Sequence, residues 1–211
     1  MKKIFVLCVL LLCMPMLLSA FVLNGRKWFS GTSFYYNGGS GPNCCLTASE
    51  RQNQITGGLN AWGTISYGGT TSATGARADG TNAVSWAKLG GTTLGVTSYI
   101  TTDTSQTQAC NGTTFYKFVE VDVRFNNGTA WQNSNSCTNG FDLSGVATHE
   151  FGHAVGLGHT SISSATMYYA VSPCDFTKSS LENDDRNGYN YIYSCGGGGG
   201  GGGGKPGGGH K

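Results

Sequence analysis

The sequence predicts an α+β domain, on two observations. Four β-rich segments lie in the first two thirds of the chain, and two helical segments follow them, over roughly residues 142–156 and 181–193. Strands that come first, followed by helices on one side, are typical of this class. Only 11% of the residues are charged, while Gly, Ser, Thr and Asn are abundant. That composition suits a loop-rich domain with β-strands better than a helical bundle.

The four predicted strands share one pattern. Each alternates in polarity or is rich in β-formers, and glycine turns bound the group. The segments are residues 32–37 (TSFYYN), 82–89 (NAVSWAKL), 93–101 (TLGVTSYIT) and 115–125 (FYKFVEVDVRF).

The helical segments are marked by spacing and by caps. In residues 47–63 the apolar Ile55, Leu59 and Trp62 recur at helical spacing despite two central glycines. Thr47, with a glutamate three positions later, fits a capping box at the start of this helix. Asp142 stands where the helix over 142–156 needs an N-cap.

The first twenty residues are typical of a secretory signal. Two lysines precede an apolar run over residues 4–18, and Ser19 and Ala20 follow, so we expect cleavage after Ala20. The run is too short for a good membrane span. Neither of its cysteines follows the small residue that a lipoprotein signal requires. The sequence therefore predicts a secreted, extracellular protein without a membrane span.

The rest of the chain divides in two. We expect one domain over residues 21–195 and a disordered glycine-rich tail over residues 196–211, because glycines have no side chains to bury. Without the signal, eleven basic residues balance eleven acidic ones. Nothing in this balance indicates a nucleic-acid surface. We expect a monomer.

Six cysteines remain in the mature chain, and an even number in an exported protein favours disulfides. Of the 15 possible pairings, three would join adjacent cysteines and are strained, which leaves 12. A thiolate zinc site is the alternative, but no CxxC pair supports it. The cysteines are residues 44, 45, 110, 137, 174 and 195.

Residues 148–159, THEFGHAVGLGH, carry the chemistry. His149 and His153 are four apart and lie on one helical face. His159 joins them only if the helix stops in between, and Gly156 and Gly158 supply that stop, since glycine accepts the left-handed backbone that ends a helix. The stretch thus predicts a helix, a sharp turn and a third histidine that returns to the first two.

Imidazole nitrogens are good zinc ligands, and a catalytic Zn²⁺ usually has three protein ligands with water in the fourth position. Zinc lowers the pKa of water towards ~7 and polarises a carbonyl. Glu150 follows His149 directly and can accept a proton from that water and pass it to a leaving amine. The pattern predicts amide hydrolysis without a covalent enzyme intermediate.

The segment from His149 to His159 resembles the metzincin signature of zinc proteases. Met167, in SATMYY, is similar to the methionine of the Met-turn, which packs beneath the zinc in that clan. Three further features resemble the matrixin branch of that clan: Thr160 after the last histidine, the paired aspartates of segment 180–193, and the stretch FVLNGRKW at residues 21–28. The chain resembles a small bacterial-type member of that branch.

The resemblance implies a metzincin/matrixin-like catalytic domain, with a twisted five-stranded mixed sheet and three helices. It also implies that a polypeptide substrate lies antiparallel to an edge strand near Leu94, Gly95 and Val96. Ca²⁺ is a possible further ligand, since matrixins often bind it. The segment 78–82 (ADGTN) offers oxygens for it, although a hairpin turn explains that segment as well.

Departures from the family pattern lead to three further expectations. No histidine precedes His149, so we expect one Zn²⁺ per molecule rather than a second, structural one. We expect no cysteine-switch propeptide of the family's kind, because the mature chain is expected to start at the catalytic domain, so latency, if any, must work differently. Tyr169 and Val171 replace the usual residues after Met167, which changes the specificity pocket. Tyr169 resembles a tyrosine that approaches the zinc in related clans, where it can hydrogen-bond the oxyanion; packing is the alternative.

The resemblance also suggests a link at the N-terminus. If signal cleavage exposes Phe21, its amino group can pair with Asp184, the first of the paired aspartates. A frayed terminus, with Asp184 in ordinary helix contacts, is the alternative.

The sequence as a whole predicts a secreted zinc-dependent endopeptidase with a polypeptide substrate. A non-catalytic zinc-binding or surface protein that keeps the fold is one alternative, but it has no need of Glu150. An enzyme of narrow purpose, such as a toxin, is another.

Overall fold

The computed structural model describes residues 20–42, 45–133 and 137–195. The predicted signal, apart from Ala20, and the predicted tail over residues 196–211 lie outside these ranges, as does Cys44.

A mixed sheet forms the centre of the molecule and three helices accompany it, so the predicted α+β class is confirmed. Five longer strands lie in the order β6-β7-β5-β3-β4, and the short β2 pairs with β7 as a sixth. Strands β3, β4, β5 and β7 are parallel, and β6 is antiparallel to β7 at the edge. The elements are β1 (Val22–Leu23), β2 (Arg26–Lys27), β3 (Thr32–Tyr36), α1 (Ala48–Asn60), β4 (Ile65–Thr70), β5 (Ala83–Ala87), β6 (Gly95–Cys110), β7 (Thr113–Asn126), β8 (Trp131–Gln132), β9 (Phe141–Asp142), α2 (Leu143–Ala154), β10 (Leu157–Gly158) and α3 (Asn183–Tyr193).

Both predicted helix caps are present. Thr47 Oγ1 accepts the N–H of Glu50 at 3.2 Å, and Glu50 accepts the N–H of Thr47 at 2.7 Å, which completes the capping box of α1. Asp142 caps α2 by accepting the N–H groups of Ser144 at 3.0 Å and Gly145 at 2.9 Å.

Strand β4 was not predicted, and its glycines explain why. Gly68 and Gly69 argue against a strand in the sequence, yet a Cβ on Gly68 would lie 2.7 Å from the ring of Tyr35 on the neighbouring β3. Glycine is therefore needed for Tyr35 to pack across the strand. Helix α1 joins the parallel β3 and β4, so the chain interleaves strands and helices where the sequence predicted strands first.

The hydrophobic core lies between the sheet and helices α1 and α2. Ile55, Leu59 and Trp62, the three residues that predicted the first helix, are all buried. Phe34 of β3 packs edge-to-face on Phe151 of α2, with ring centroids 5.5 Å apart. Because α2 is held by this core on its buried face, its histidines have a fixed position.

Four of the predicted disulfide cysteines are paired. The bonds are Cys110–Cys195 and Cys137–Cys174, so these thiols are not zinc ligands. No helix within the described ranges is both long and apolar enough to cross a membrane.

Helices α1 and α2 approach each other at Gly58. A Cβ on Gly58 would lie 2.6 Å from the backbone nitrogen of Thr148 and 2.8 Å from the Cβ of Ala147, both on α2. The neighbouring Gly57 is exposed, and a Cβ there meets nothing within 4 Å. Only one of the two central glycines is therefore required by packing.

We expect Gly58→Ala to destabilise the protein by about 1–3 kcal/mol, because the added methyl group forces α1 away from α2. Gly57→Ala is the matched control and should stabilise it by about 0.5–1 kcal/mol, since alanine restricts the unfolded chain. Denaturant unfolding of both variants checks this, and equal effects of the two substitutions would contradict the close approach at Gly58.

Candidate metal centre

The chain reverses sharply after α2, as the motif predicts. The helix ends at Ala154, and Gly156 adopts φ +111°. A Cβ on Gly156 would lie 2.5 Å from the carbonyl oxygen of Arg26, so its backbone conformation and its surroundings both require glycine. Gly158 has a different role from the predicted one. It lies in β10 beside β1, and a Cβ there would lie 2.9 Å from Val22 Cγ1.

The reversal brings the three predicted histidines together. His159 Nε2 lies 3.2 Å from His149 Nε2 and 3.1 Å from His153 Nε2. Two nitrogens bound to one tetrahedral Zn²⁺ at 2.0–2.1 Å lie about 3.4 Å apart. The spacing therefore fits a single metal ion with three imidazole ligands.

Backbone carbonyls fix which nitrogen of two rings carries the proton. His149 Nδ1 donates to Thr166 O at 2.7 Å, and His153 Nδ1 donates to Leu157 O at 2.8 Å. A carbonyl oxygen only accepts, so each neutral ring keeps an unprotonated Nε2. Burial lowers the pKa of His149 to about 3 and the pKa of His153 to about 4, which keeps both rings neutral at physiological pH.

The donor set therefore fits Zn²⁺. At least one of the three converging Nε2 lone pairs has no N–H to accept, because His159 can donate only one Nε2 proton. Lone pairs held this close repel one another, and a cation between them removes that repulsion. Neutral imidazole nitrogen is also a ligand that zinc prefers.

Glu150 lies beside this site in a buried position. Its Oε2 accepts a hydrogen bond from Thr97 Oγ1 at 2.7 Å, across from β6. Burial raises the pKa of Glu150 to about 7, and the hydrogen bond from Thr97 opposes that rise. A cation nearby would lower this pKa, since it favours the carboxylate. Glu150 passes over Gly95, where a Cβ would lie 2.8 Å from Glu150 Oε1.

Met167 is buried against α2 at Gly152. A Cβ on Gly152 would lie 2.2 Å from Met167 Sδ and 3.0 Å from Trp62 Cζ2. Glycine at position 152 of α2 thus makes room for the methionine, and the contact supports packing as the role of Met167.

Two residues that the sequence analysis did not single out hold the turn around Met167. The carboxylate of Asp185, which is buried, accepts the N–H groups of Thr166 at 2.8 Å and Met167 at 3.0 Å. Thr166 Oγ1 donates to the carbonyl oxygens of Lys178 and Ser180. Because the carbonyl of Thr166 accepts from His149, Asp185 positions His149 through Thr166. The paired aspartates of segment 180–193 were the feature of the sequence that could have indicated this role of Asp185.

A cleft of about 750 Å³ runs past the histidines and Glu150. Leu94, Gly95 and Val96 lie along one side of it, at the start of β6, which pairs only with β7 among the described strands. Tyr169 also lines the cleft and is 67% exposed, with its ring 6.5 Å from that of His159. Its contact is with the ring of Tyr168 at 4.5 Å, so it does not pack in the core.

Asp184 is close to a backbone N–H, but not to that of Phe21. The nitrogen of Ala20 lies 3.1 Å from Asp184 Oδ1, one residue before the predicted position. The other oxygen, Oδ2, is buried and has no hydrogen-bond partner in the described part of the chain. Phe21 instead packs on Tyr191, with ring centroids 5.5 Å apart.

The segment 78–82 does not form a hairpin, because β4 and β5, which flank it, both run parallel to β3. The N–H groups of Asp79 and Gly80 donate to the buried carboxylate of Glu120 at 3.0 and 2.9 Å. Backbone N–H groups of this segment therefore satisfy the carboxylate of Glu120.

Across residues 20–42, 45–133 and 137–195, the structure brings together one group of three metal-ligand side chains, which is His149, His153 and His159.

Residues 101–194 match the family model of Matrixin. The match covers a little under half of the chain and includes all three histidines, Glu150 and Met167.

Curated relatives match a shorter segment. The chain is 39% identical to matrix metalloproteinase-25 of Mus musculus over 77 residues, which is 36% of this chain and 12% of that protein. The identity to the Homo sapiens protein of the same name is 39% over 77 residues, 36% of this chain and 14% of the relative. Metalloendoproteinase 2-MMP of Arabidopsis thaliana is 43% identical over 58 residues, 28% of this chain and 15% of the relative.

The chain thus spans a small part of the length of these relatives. Together with the mixed sheet and three helices, the Matrixin match confirms the predicted metzincin-like fold.

We expect Asp185→Asn to weaken zinc binding by about tenfold or more, because it loosens the turn whose carbonyl orients His149. Competition with a chromogenic chelator measures the zinc dissociation constant. Asp103→Asn, in the β6–β7 hairpin outside the cleft, is the control. An unchanged zinc affinity in Asp185→Asn would show that Asp185 does not position His149.

Proposed function

We propose that this protein is a secreted zinc-dependent endopeptidase. The observation that carries the proposal is the convergence of His149, His153 and His159 beside the carboxyl of Glu150, in a cleft along an unpaired strand edge. The Matrixin match supports the same activity. Residues 1–20 act as the export signal in this proposal, residues 21–195 form the protease domain and residues 196–211 are a glycine-rich tail.

The three histidines hold one Zn²⁺ through their Nε2 atoms. When bound, the ion would act as a Lewis acid that lowers the pKa of water and polarises the scissile carbonyl. Glu150 accepts the proton of the attacking water and delivers it to the leaving amine. Thr97 orients the carboxyl of Glu150 through its hydrogen bond.

The substrate is an extended polypeptide that adds to the edge of β6. Leu94, Gly95 and Val96 offer backbone groups on the cleft side of that strand, and backbone pairing recognises a chain without regard to its side chains. The protein acts as a monomer, with no nucleic-acid partner. Ca²⁺ is proposed as a further ligand of the oxygens of segment 78–82, although the N–H groups of Asp79 and Gly80 in that segment already donate to the carboxylate of Glu120.

A non-catalytic zinc-binding protein is the second candidate. Such a protein would conserve the three histidines but gain nothing from a buried carboxyl held by Thr97 against the metal site. A toxin or processing factor of narrow specificity would keep both the three histidines and the buried carboxyl. Profiling of cleaved substrates separates such an enzyme from a general protease.

We expect Glu150→Ala to bind one equivalent of Zn²⁺ and to lose at least about 100-fold in kcat, because the proton acceptor is gone and the ligands are intact. Metal analysis of the purified variant and hydrolysis of an unfolded protein substrate measure the two quantities. Retained turnover would remove Glu150 from the mechanism, and two equivalents of zinc would contradict a single site.

Tyr169 is proposed to donate a hydrogen bond to the oxyanion from the mouth of the cleft. We expect Tyr169→Phe to lower kcat by about 100-fold with little change in KM. Tyr116→Phe, on the exposed face of β7, is the control. Unchanged turnover of Tyr169→Phe would show that Tyr169 takes no part in catalysis and has only a packing role against Tyr168.

We also propose that a free N-terminal amino group pairs with Asp184. The sequence places that group on Phe21, whereas Ala20 N is the nitrogen at hydrogen-bond distance, and Asp184 Oδ2 is buried without a partner. An ammonium group at position 20 would supply the additional donors and the opposite charge.

Chains that begin at Ala20 and at Phe21 therefore differ. We expect the form that begins at Ala20 to be more stable by about 1 kcal/mol or more, and Asp184→Asn to abolish the difference. Thermal unfolding of the four proteins measures this. Equal stabilities of the two forms, with Asp184 intact, would favour a frayed terminus.

A further inference from the structure

A buried ammonium group lies in the wall of the cleft beside the histidines. Lys178 is in a single 3₁₀ turn, Thr177–Ser179, and is 6% exposed. It lines the same cleft as His149 and Glu150, and it makes the smallest contribution to the lowering of the pKa of His149, after burial, His153 and His159.

The charge of Lys178 is hydrogen-bonded but not neutralised. Its Nζ donates to the carbonyl oxygens of Ser163 and Ala165, the latter at 3.0 Å, and lies 5.9 Å from the centre of the Tyr168 ring. No carboxylate of the described residues lies within 4 Å of it. The pKa of Asp175 is lowered mainly by its hydrogen bonds with Thr177, and Lys178 adds only a smaller contribution. An ammonium has three N–H groups, so one donor of Lys178 has no carbonyl partner.

Several of the other side chains that line this cleft are apolar. They include Phe141, Val146 and Val171. Gly145, which also lines the cleft, has no side chain, and a Cβ there would lie 3.1 Å from Lys178 Cβ and 3.0 Å from Asp142 Oδ2, the oxygen that caps α2, so the base of the lysine packs closely against the start of that helix. A charge in such surroundings is poorly solvated and interacts strongly with an opposite charge brought beside it.

We propose that Lys178 selects polypeptide substrates that carry an acidic side chain, Asp or Glu, directly beside the scissile bond. This inference rests on the proposed peptidase function. A carboxylate in the cleft forms a charge-assisted hydrogen bond with the free N–H of Lys178 and neutralises its charge. A neutral side chain leaves the ammonium without a counter-charge, and a basic side chain is repelled by it. Lys178 is a specificity-determining residue that the zinc motif does not include.

The test begins with cleavage of a peptide library by the zinc-loaded protein. We expect acidic residues to be enriched at one of the two positions that flank the cut. Two peptides that differ only by Glu or Gln at that position are then compared, since these side chains have the same shape and differ in charge. The Glu peptide should be cleaved with a kcat/KM at least about tenfold higher.

Variants of the lysine separate its charge from its packing. Lys178→Met keeps the length of the stem and removes the charge, and it should bring the Glu:Gln ratio close to one. Lys178→Arg should retain most of the preference. Lys88→Met, which removes an exposed charge outside the cleft, is the matched control and should leave the ratio unchanged.

A binding measurement gives a readout that does not need turnover. Fluorescence anisotropy with the Glu150→Ala protein and the two labelled peptides should show tighter binding of the Glu peptide, by about tenfold, and Lys178→Met in that background should remove the difference.

The outcomes distinguish the two proposals. Cleavage of both peptides at equal rates, with equal affinities, would overturn charge selection by Lys178 and leave the peptidase function standing. Tighter binding of the Glu peptide without any cleavage would support the selection and contradict the peptidase function. If Lys178→Met does not fold, the Glu:Gln ratios of the wild type and of Lys178→Arg decide the question.

Discussion

The proposed activity depends on one constraint, that three imidazole Nε2 atoms converge, with that of His159 within 3.2 Å of the other two, although at most one of them carries a proton that can lie between the rings. A helix supplies two of them, but no continuous helix supplies the third. The reversal at Gly156 is therefore the most demanding feature of the chain, because its backbone is left-handed and the carbonyl of Arg26 occupies the space that a side chain would need. Strand β1 then pairs with β10, which ends directly before His159. The N-terminal segment is thus part of the scaffold of the metal centre.

The remaining parts of the site are held by buried charges whose partners are backbone groups. Asp185 accepts two N–H groups of the Met-turn, and Lys178 donates to two carbonyls of the loop before it. Neither charge is offset by an ion pair within 4 Å in the part of the chain that the structure describes. Satisfied hydrogen bonds make such groups tolerable in the interior, but an unbalanced charge remains available to a ligand. Asp185 does not line the cleft and acts on the site only by orienting His149 through Thr166, whereas Lys178 lines the cleft and can also meet a substrate.

Much of this site follows from the sequence. The spacing of His149, His153 and His159 determines which side chains meet, and capping boxes and N-caps depend on residues a few positions apart, so Thr47 and Asp142 were predictable. Strand β4 was not, because its glycines are explained only by Tyr35 on a strand distant in sequence. The supports Thr97, Asp185 and Lys178 were missed for the same reason: each acts on the site across a tertiary contact that no local pattern records. The structure places Ala20, and not Phe21, beside Asp184. Which of the two residues lies there depends on the path of the chain into β1, and sequence periodicity does not determine that path to within one residue.

The most direct test of the account is hydrolysis of an unfolded polypeptide by the protein after removal of metal by a chelator and after return of one equivalent of Zn²⁺. The convergence of three imidazoles predicts that internal peptide bonds are cut only after the zinc is restored, and that one equivalent restores full activity. Cleavage by the metal-free protein, or the absence of cleavage with one zinc tightly bound, would contradict the assignment of His149, His153, His159 and Glu150 as the centre of a zinc endopeptidase.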